Sequence, residues 1–260
     1  MCQITVDHAL CKKDGACVAV CPSKVLLINE QGYPEQHPRR KCILCGHCVA
    51  VCMGEAMTHS ELASEEFMPV SREKIAPEVM DGFLESRRSV REFKPRALDE
   101  QTLSEMLLVA RRAPTASNSQ LIEWSVARGP EKVHAIAEGI IEAFRAFEIL
   151  PELVRQWEKG VDHVLRGAPN LVVAHGPASH DWLKEDGSTA LAYLELSAEA
   201  RGIGACWTGY LTRAANLHAP LRRLLGLPED HLVAGGLMLG PGTYRYRYIP
   251  PRKPLSVHWV

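Results

Sequence analysis

The chain has 260 residues, 46% of them apolar, and 30 Lys and Arg against 31 Asp and Glu give a formal net charge of −1. That balance describes an ordinary soluble protein and excludes the charge bias of a nucleic-acid or membrane-surface binder. No apolar run approaches a membrane span and the N-terminus lacks a basic-then-apolar signal, so a cytoplasmic chain of one large or two smaller domains is expected.

In a reducing compartment nine cysteines point to metal rather than to disulfides. Seven stand in two near-copies, "CKKDGACVAVCP" at 11–22 and "CILCGHCVAVCM" at 42–53, with Cys2 and Cys206 outside them. Residues 1–60 therefore form a metal-stapled domain too short to be stable unaided. In it "ITVDHALC" reads as an opening strand and "VLLINEQGYP" as a strand and turn between the halves. The polar, acidic stretch 61–80 reads as a linker, and 81–260 as a larger unit.

Cys42, Cys45, Cys48 and Cys52 fill a C-x2-C-x2-C-x3-C pattern; Cys11, Cys17 and Cys21 fill it again with Asp14 in the second slot. This is iron–sulfur spacing, in which three thiolates hold one cluster and the fourth reaches to another. The segment resembles two-cluster bacterial ferredoxins over about residues 3–60. The resemblance implies one 4Fe–4S cluster on Cys42, Cys45, Cys48 and Cys21. The second falls to Cys11, Cys17 and Cys52, as 4Fe–4S with Asp14 ligating or as 3Fe–4S without it. Paired structural zinc sites are the rival reading, against which the tight spacing and the Asp both speak. A hard carboxylate oxygen holds a cluster iron less well than a thiolate, so that iron should be labile.

Further along, "PEVMDGFLES" reads as helical and is followed by "RRSVREF" at 87–93. Leu103, Met106, Leu107 and Ala110 then recur at helical spacing behind Asp99 as N-cap, up to a stop near Pro114. "EWSVAR" reads as a strand, "EKVHAIAEGIIEAFRAF" as a helix with an apolar stripe, and "APNLVVAH" as a buried strand. "STALAYLELSAEARGIGACWTGY" opens as an apolar helix ending at Gly202, a C′ glycine, and "HLVAGGLMLG" is another strand. His134, His163, His175 and His180 show no metal-ligand spacing, and Cys206, with no basic partner in view, reads as a small buried residue.

Four motifs in this half stand in a telling order: R-x-S-x-R-x-F at Arg87, Ser89, Arg91 and Phe93; "APTASNSQ" with Pro114, Thr115, Ala116, Asn118 and Gln120; the glycine-rich "GIGACWTG" with Trp207, Thr208 and Gly209; and "PPRKP" with Arg252 and Lys253. Alone, an Arg-rich run is a solvated helix end and such an Asn is turn chemistry. In this order they resemble the nitroreductase family of FMN-dependent oxidoreductases over roughly residues 80–260. The resemblance implies an α+β sandwich domain behind the ferredoxin-like one, and a homodimer with FMN at its interface. Arg87, Arg88, Ser89, Arg91, Arg252 and Lys253 would serve the phosphate and Asn118 and Gln120 the isoalloxazine edge. "GIGACWTG" would be the family's glycine-rich loop after the long core helix, with the backbone around Trp207, Thr208 and Gly209 serving the flavin N5 and O4. Gln120-Leu121-Ile122-Glu123-Trp124 departs from the family's Q-P-W-x-F run and alters the pocket wall. By family position, Glu138–Arg166 is the substrate lid, with Phe144, Phe147, Trp157, His163 and Arg166 as its options; the plainer reading puts the aromatics in a core.

Joined, the two resemblances imply a fusion in which clusters pass electrons to FMN for reduction of an electron-poor molecule, a nitroarene, quinone or enone. The alternative is a relay serving a partner protein; a pocket over the flavin favours the enzyme and a flat flavin edge the relay. No G-x-G-x-x-G opens a βαβ unit, which leaves the external donor open between a ferredoxin and NAD(P)H. No nucleic-acid or membrane partner is expected.

Overall fold

In the first segment extended residues are few, and its two ends pair with each other. The computed structural model describes residues 3–260, so Cys2 lies outside it. One compact unit runs to Lys74 and takes in residues 117–119; the other holds 75–116 and 120–260.

In the first unit, β1 (Ile4–Val6) pairs antiparallel with β4 (Met57–His59), and β2 (Leu26–Ile28) with β3 (Pro34–Gln36). Helices α1 (Ala16–Ala19) and α2 (His47–Ala50) are single turns, each entered through a left-handed glycine, Gly15 (φ 72°) and Gly46 (φ 71°). The doubling visible in sequence is repeated in the backbone. Lys13 and Leu44 both stand at φ 55°, and Lys24 and Glu55 at 49° and 53°. Left-handed non-glycine residues are costly, and their recurrence at equivalent points shows two copies of one loop design. The core is small: Cys17, Leu26, Cys48 and Met57 are buried, with Ile4, Val6, Val18, Val49, Val51 and Cys52 packed against them. Four buried side chains, two of them thiols, cannot offset the ordering entropy of such a segment alone.

The second unit opens with α3 (Pro77–Ser86), which buries none of its residues, and α4 (Glu100–Ala110). Asp99 caps α4 as expected, its carboxylate accepting from the Thr102 N–H at 2.7 Å and the Thr102 hydroxyl at 2.8 Å. Next come β5 (Glu123–Arg128), α5 (Pro130–Ala146), α6 (Pro151–Glu158), β6 (Asn170–Pro177), α7 (Leu183–Glu199), β7 (Gly204–Trp207), α8 (Gly209–Leu217), α9 (Ala219–Leu224) and β8 (His231–Gly240). The strands form one antiparallel sheet in the order β5-β6-β8-β7.

Strand β6 is buried nearly throughout, and its side chains divide by parity. Leu171 and Val173 join the core with α5, α8 and α9; Val172 and Ala174 join the other core with α4 and α7. The sheet is thus the middle of three layers. Strand and helix approach most closely where α7 crosses β8: a Cβ on Gly187 would stand 2.3 Å from that of Ala234, so only glycine fits. Among the described residues no helix is long and apolar enough to cross a membrane.

Three expectations need correction. "GACW", read as part of a loop, is the edge strand β7, because its alternating small residues fit the sheet beside β8. Helix α7 starts at Leu183, ahead of the apolar stretch read from Ser188, since Glu185 and Asp186 suit a helix N-terminus. The expected lid, 138–166, opens in the C-terminal half of α5, where Phe144 is 1% exposed in the core, and only its far end, with His163 and Arg166, lines a cavity.

Candidate functional site

The cysteine loops come first. Cys11, Asp14, Cys17 and Cys52 line one recess, so a residue of the second ladder joins three positions of the first. Burial raises the Cys17 thiol's pKa, and the charges adding to that rise are those of Cys52 and Asp14. Burial pushes the Cys48 thiol up to about 11, with Cys42 and Cys45 as its charged neighbours. Metal must therefore displace protons from both buried thiols. The backbone is already turned toward sulfur: the N–H groups of Val25, Ala56 and Leu44 point at Cys21 (3.2 Å), Cys52 (3.3 Å) and Cys42 (3.4 Å). Asp14 Oδ1 accepts from the Ala16 N–H at 3.0 Å, so the carboxylate is fixed at the mouth of α1.

His59, which no sequence motif singles out, belongs to this group. It is buried, its Nδ1 accepts from the Glu61 N–H at 3.1 Å, and its Nε2 therefore carries the proton facing Cys42 Sγ at 3.6 Å. Such N–H···S contacts tune cluster potentials. No spacing rule marks a lone His beyond the second ladder.

In the second unit the segment at 87–93 is tied to the sheet edge by the Val90 N–H, which donates to the Ala205 carbonyl at 2.9 Å. That pairing sets Arg91 beside β7. Arg91, Trp207, Thr208 and Gly209 line a cavity of about 460 Å³, open to solvent, together with His163, Arg166, Tyr210 and Arg213. The volume is within the range of small-molecule sites. Asp162 holds the loop bearing His163 and Arg166 by accepting from the N–H groups of Val164, Leu165 and Gly167, each at 2.9 Å. Leu150 and Arg166 on the same wall are left-handed (φ 50° and 58°), backbone strain of the kind found at functional sites. Thr208 is 2% exposed, and its hydroxyl is the buried side-chain polar atom left without a partner among the described residues. It also stands at the N-terminus of α8, which has no side-chain cap, so the first N–H groups of that helix await an acceptor. Cys206 is buried against this cavity; burial raises its pKa more than Arg91 and Arg166 lower it, which keeps it an unreactive thiol.

The other expected residues are elsewhere. Arg87, Arg88 and Arg252 line a second hollow with Leu84 and Glu85. Arg87 is paired with Glu195 at 3.0 Å, and Glu195 also accepts from Trp207 Nε1 at 3.1 Å. Arg88 donates to the carbonyls of Glu85 and Ser86. The Ser89 carbonyl accepts from the Tyr246 hydroxyl at 3.3 Å, and Lys253 is exposed. In the 114–120 loop, Pro114 is exposed, the Ala116 N–H donates to Asp186 Oδ1 at 2.9 Å, and the Gln120 N–H donates to the Thr115 hydroxyl at 3.1 Å. Ser117, Asn118 and Gln120 are all left-handed, with φ 51–54°. Asn118, in the first unit, donates its amide to the carbonyls of Ile43 (3.0 Å) and Leu44 (3.1 Å). Arg213 and Tyr210 escape a sequence reading because they lie on α8, beyond the apolar pattern and outside every motif.

Comparison with known proteins bears on the family and the fold. The nitroreductase family model covers residues 84–241, and a 4Fe-4S dicluster domain model covers 3–53. A protein of Archaeoglobus fulgidus bearing an NADH dehydrogenase/NAD(P)H nitroreductase name is 30% identical over 155 residues, 60% of this chain and 80% of that relative. A component of the Na+-translocating ferredoxin:NAD+ oxidoreductase complex of Acetobacterium woodii is 44% identical over 48 residues, 18% of this chain and 14% of that component. Among solved structures, the FMN-bound nitroreductase of Bacteroides fragilis superposes with a TM-score of 0.59 at 23% identity, covering 71% of this chain and 98% of the other. That of Desulfitobacterium hafniense, also with bound FMN, gives 0.58 at 21% identity, covering 69% and 96%. These two likenesses bear on the fold. The chain belongs to the nitroreductase family and carries a 4Fe–4S dicluster domain ahead of its nitroreductase domain.

Proposed function

We propose that the protein is a homodimeric, cytoplasmic FMN-dependent oxidoreductase in which two iron–sulfur clusters pass electrons to the flavin for reduction of an electron-poor small molecule of nitroarene, quinone or enone type. The observation that carries this reading is one cavity combining Arg91, Arg166 and Arg213 with an unpartnered buried Thr208 hydroxyl and an uncapped helix N-terminus. Cations, a hydroxyl and open N–H groups suit a phosphorylated flavin with an electron-rich edge.

When bound, FMN supplies two-electron chemistry and the clusters one-electron transfer. The chain's own groups then divide the work. Arg91, Arg166 and Arg213 meet negative charge, while Thr208 and the first N–H groups of α8 meet the flavin edge. His163 and the Tyr210 hydroxyl stand on the same cavity wall and can carry a proton to a reduced substrate. Arg252, sharing a hollow with Arg87 and Arg88, adds a further phosphate-binding cation. In the first unit Cys11, Cys17 and Cys52 would hold one cluster, either as 4Fe–4S with Asp14 as a weak oxygen ligand whose iron is readily lost or as 3Fe–4S without it. Cys42, Cys45, Cys48 and Cys21 hold the other cluster with thiolate alone. NAD(P)H or a ferredoxin serves as external donor.

The dimer is supported by apolar surface that a lone chain leaves wet. Val79 and Leu84 on α3 are exposed, as are Tyr244, Tyr248, Leu255 and Trp259 in the C-terminal arm. Protein purified anaerobically should contain FMN, iron and acid-labile sulfide, and scatter light as a dimer at micromolar concentration. A flavin-free chain, or zinc in place of iron at the cysteines, would overturn the reading.

A further inference from the structure

On the β5 side of the sheet three residues far apart in sequence converge. In the antiparallel register Glu123 of β5 stands directly opposite His175 of β6. His175 pairs with Val233 of β8, and His231, two residues earlier on that strand, is its diagonal neighbour on the same face. The register slips between Ala174 and His175, a bulge of the kind that re-aims side chains next to sites. The result is a tight group: Nδ1 of His175 lies 2.9 Å from Nδ1 of His231, and a carboxylate oxygen of Glu123 is within 4.8 Å of a nitrogen of each. Both imidazoles are buried, at 3% and 5% exposure, while Glu123 is exposed.

We propose that Glu123, His175 and His231 form a binding site for a divalent transition metal of the zinc class, bridging β5, β6 and β8. Two features suit a metal. Two nitrogens each about 2.0–2.1 Å from one tetrahedral ion stand about 3.3–3.4 Å apart, so the pair at 2.9 Å needs to open by only a few tenths of an ångström to share an ion. The Ser125 hydroxyl lies 3.2 Å from His175 Nε2 and can accept its proton, which frees Nδ1 as a ligand lone pair. Glu123, directly opposite His175, supplies the anionic ligand that the two imidazoles lack. Two histidines and one carboxylate leave a coordination position on the solvent side, where Glu123 is exposed. The site shares no residue with the cysteine loops and does not depend on the flavin reading.

The test uses holoprotein with clusters and flavin in place, so that the cysteines are occupied. Wild type, Glu123→Gln and His231→Gln are incubated anaerobically with Zn2+, desalted and analysed for zinc per chain. Each is also melted with Zn2+ or with a chelator. The wild type should retain one zinc more per chain than either variant, bind it at least roughly tenfold more tightly, and melt higher with Zn2+ than with chelator. Glu123 is on the surface, so Glu123→Gln keeps the test decisive if His231→Gln does not fold. Equal zinc in wild type and Glu123→Gln, or a wild-type melting temperature indifferent to zinc, would overturn the proposal and leave the histidines as a hydrogen-bonded pair.

Discussion

Thr208→Val makes the sharpest demand on the flavin-site reading, because it should raise the stability of the empty protein while weakening its hold on the flavin. The Thr208 hydroxyl is buried without a partner at the end of β7. An unsatisfied buried polar group costs about 1–3 kcal/mol, and valine replaces the hydroxyl by a methyl of similar size. In flavin-free protein the variant should therefore be more stable by up to that amount. For a domain of this size that is a rise in Tm of roughly 2–12 °C. If the hydroxyl is kept for FMN, binding satisfies it in the wild type and gains nothing in the variant. Flavin affinity should then fall by about 1–3 kcal/mol, roughly 5–150-fold. Differential scanning fluorimetry of flavin-stripped and flavin-loaded protein, with a fluorescence titration of FMN, reads both quantities. A variant less stable when empty, with an unchanged FMN dissociation constant, would show that the hydroxyl is not held for the cofactor.

Further outcomes follow from other residues. Asp14→Cys should abolish the low-field EPR signal of oxidised 3Fe–4S that mild oxidation produces in the wild type, and equalise iron loss from the two clusters; identical spectra would make Asp14 a bystander. Arg252→Ala should weaken FMN binding roughly tenfold or more by removing a charge-assisted phosphate contact, measured by the same titration. Asp99→Ala should lower Tm at neutral pH by uncapping α4. The Thr102 N–H and hydroxyl hold the Asp99 carboxyl below its usual value of 3.8, so its contribution is full above that pH and is lost as pH falls through the lowered value. The gap between variant and wild type should close in acid, and a gap constant from neutral pH into strong acid would contradict the cap.

What could be read in the sequence is what is local. The cysteine ladder repeats over a few residues, so Cys42 to Cys52, and Asp14 where the first copy has no cysteine, stand out in a line of text. Asp99 and its Thr102 contact are three residues apart, and the buried run of β6 is apolar enough to stand out. Features built by tertiary convergence gave no such signal. His175 and His231 are separated by α7, β7, α8 and α9, and only the antiparallel register brings them together. Arg213 reaches the cavity because α8 begins beside β7, and β7 itself is hidden because its small residues read as loop chemistry until a neighbouring strand is present. His59 becomes informative only once the Glu61 N–H fixes its tautomer toward Cys42.

The central claim is that electrons held by the clusters leave through a flavin to a small molecule. Photoreducing the anaerobic holoprotein and mixing it in a stopped-flow with a nitroarene, a quinone or an enone tests it directly, with cluster and flavin absorbance followed together. At least one acceptor should reoxidise the flavin within a single turnover, with the clusters reoxidising at the flavin-limited rate. Clusters that reoxidise while the flavin stays reduced, or a flavin that no acceptor of these classes reoxidises, would contradict the account.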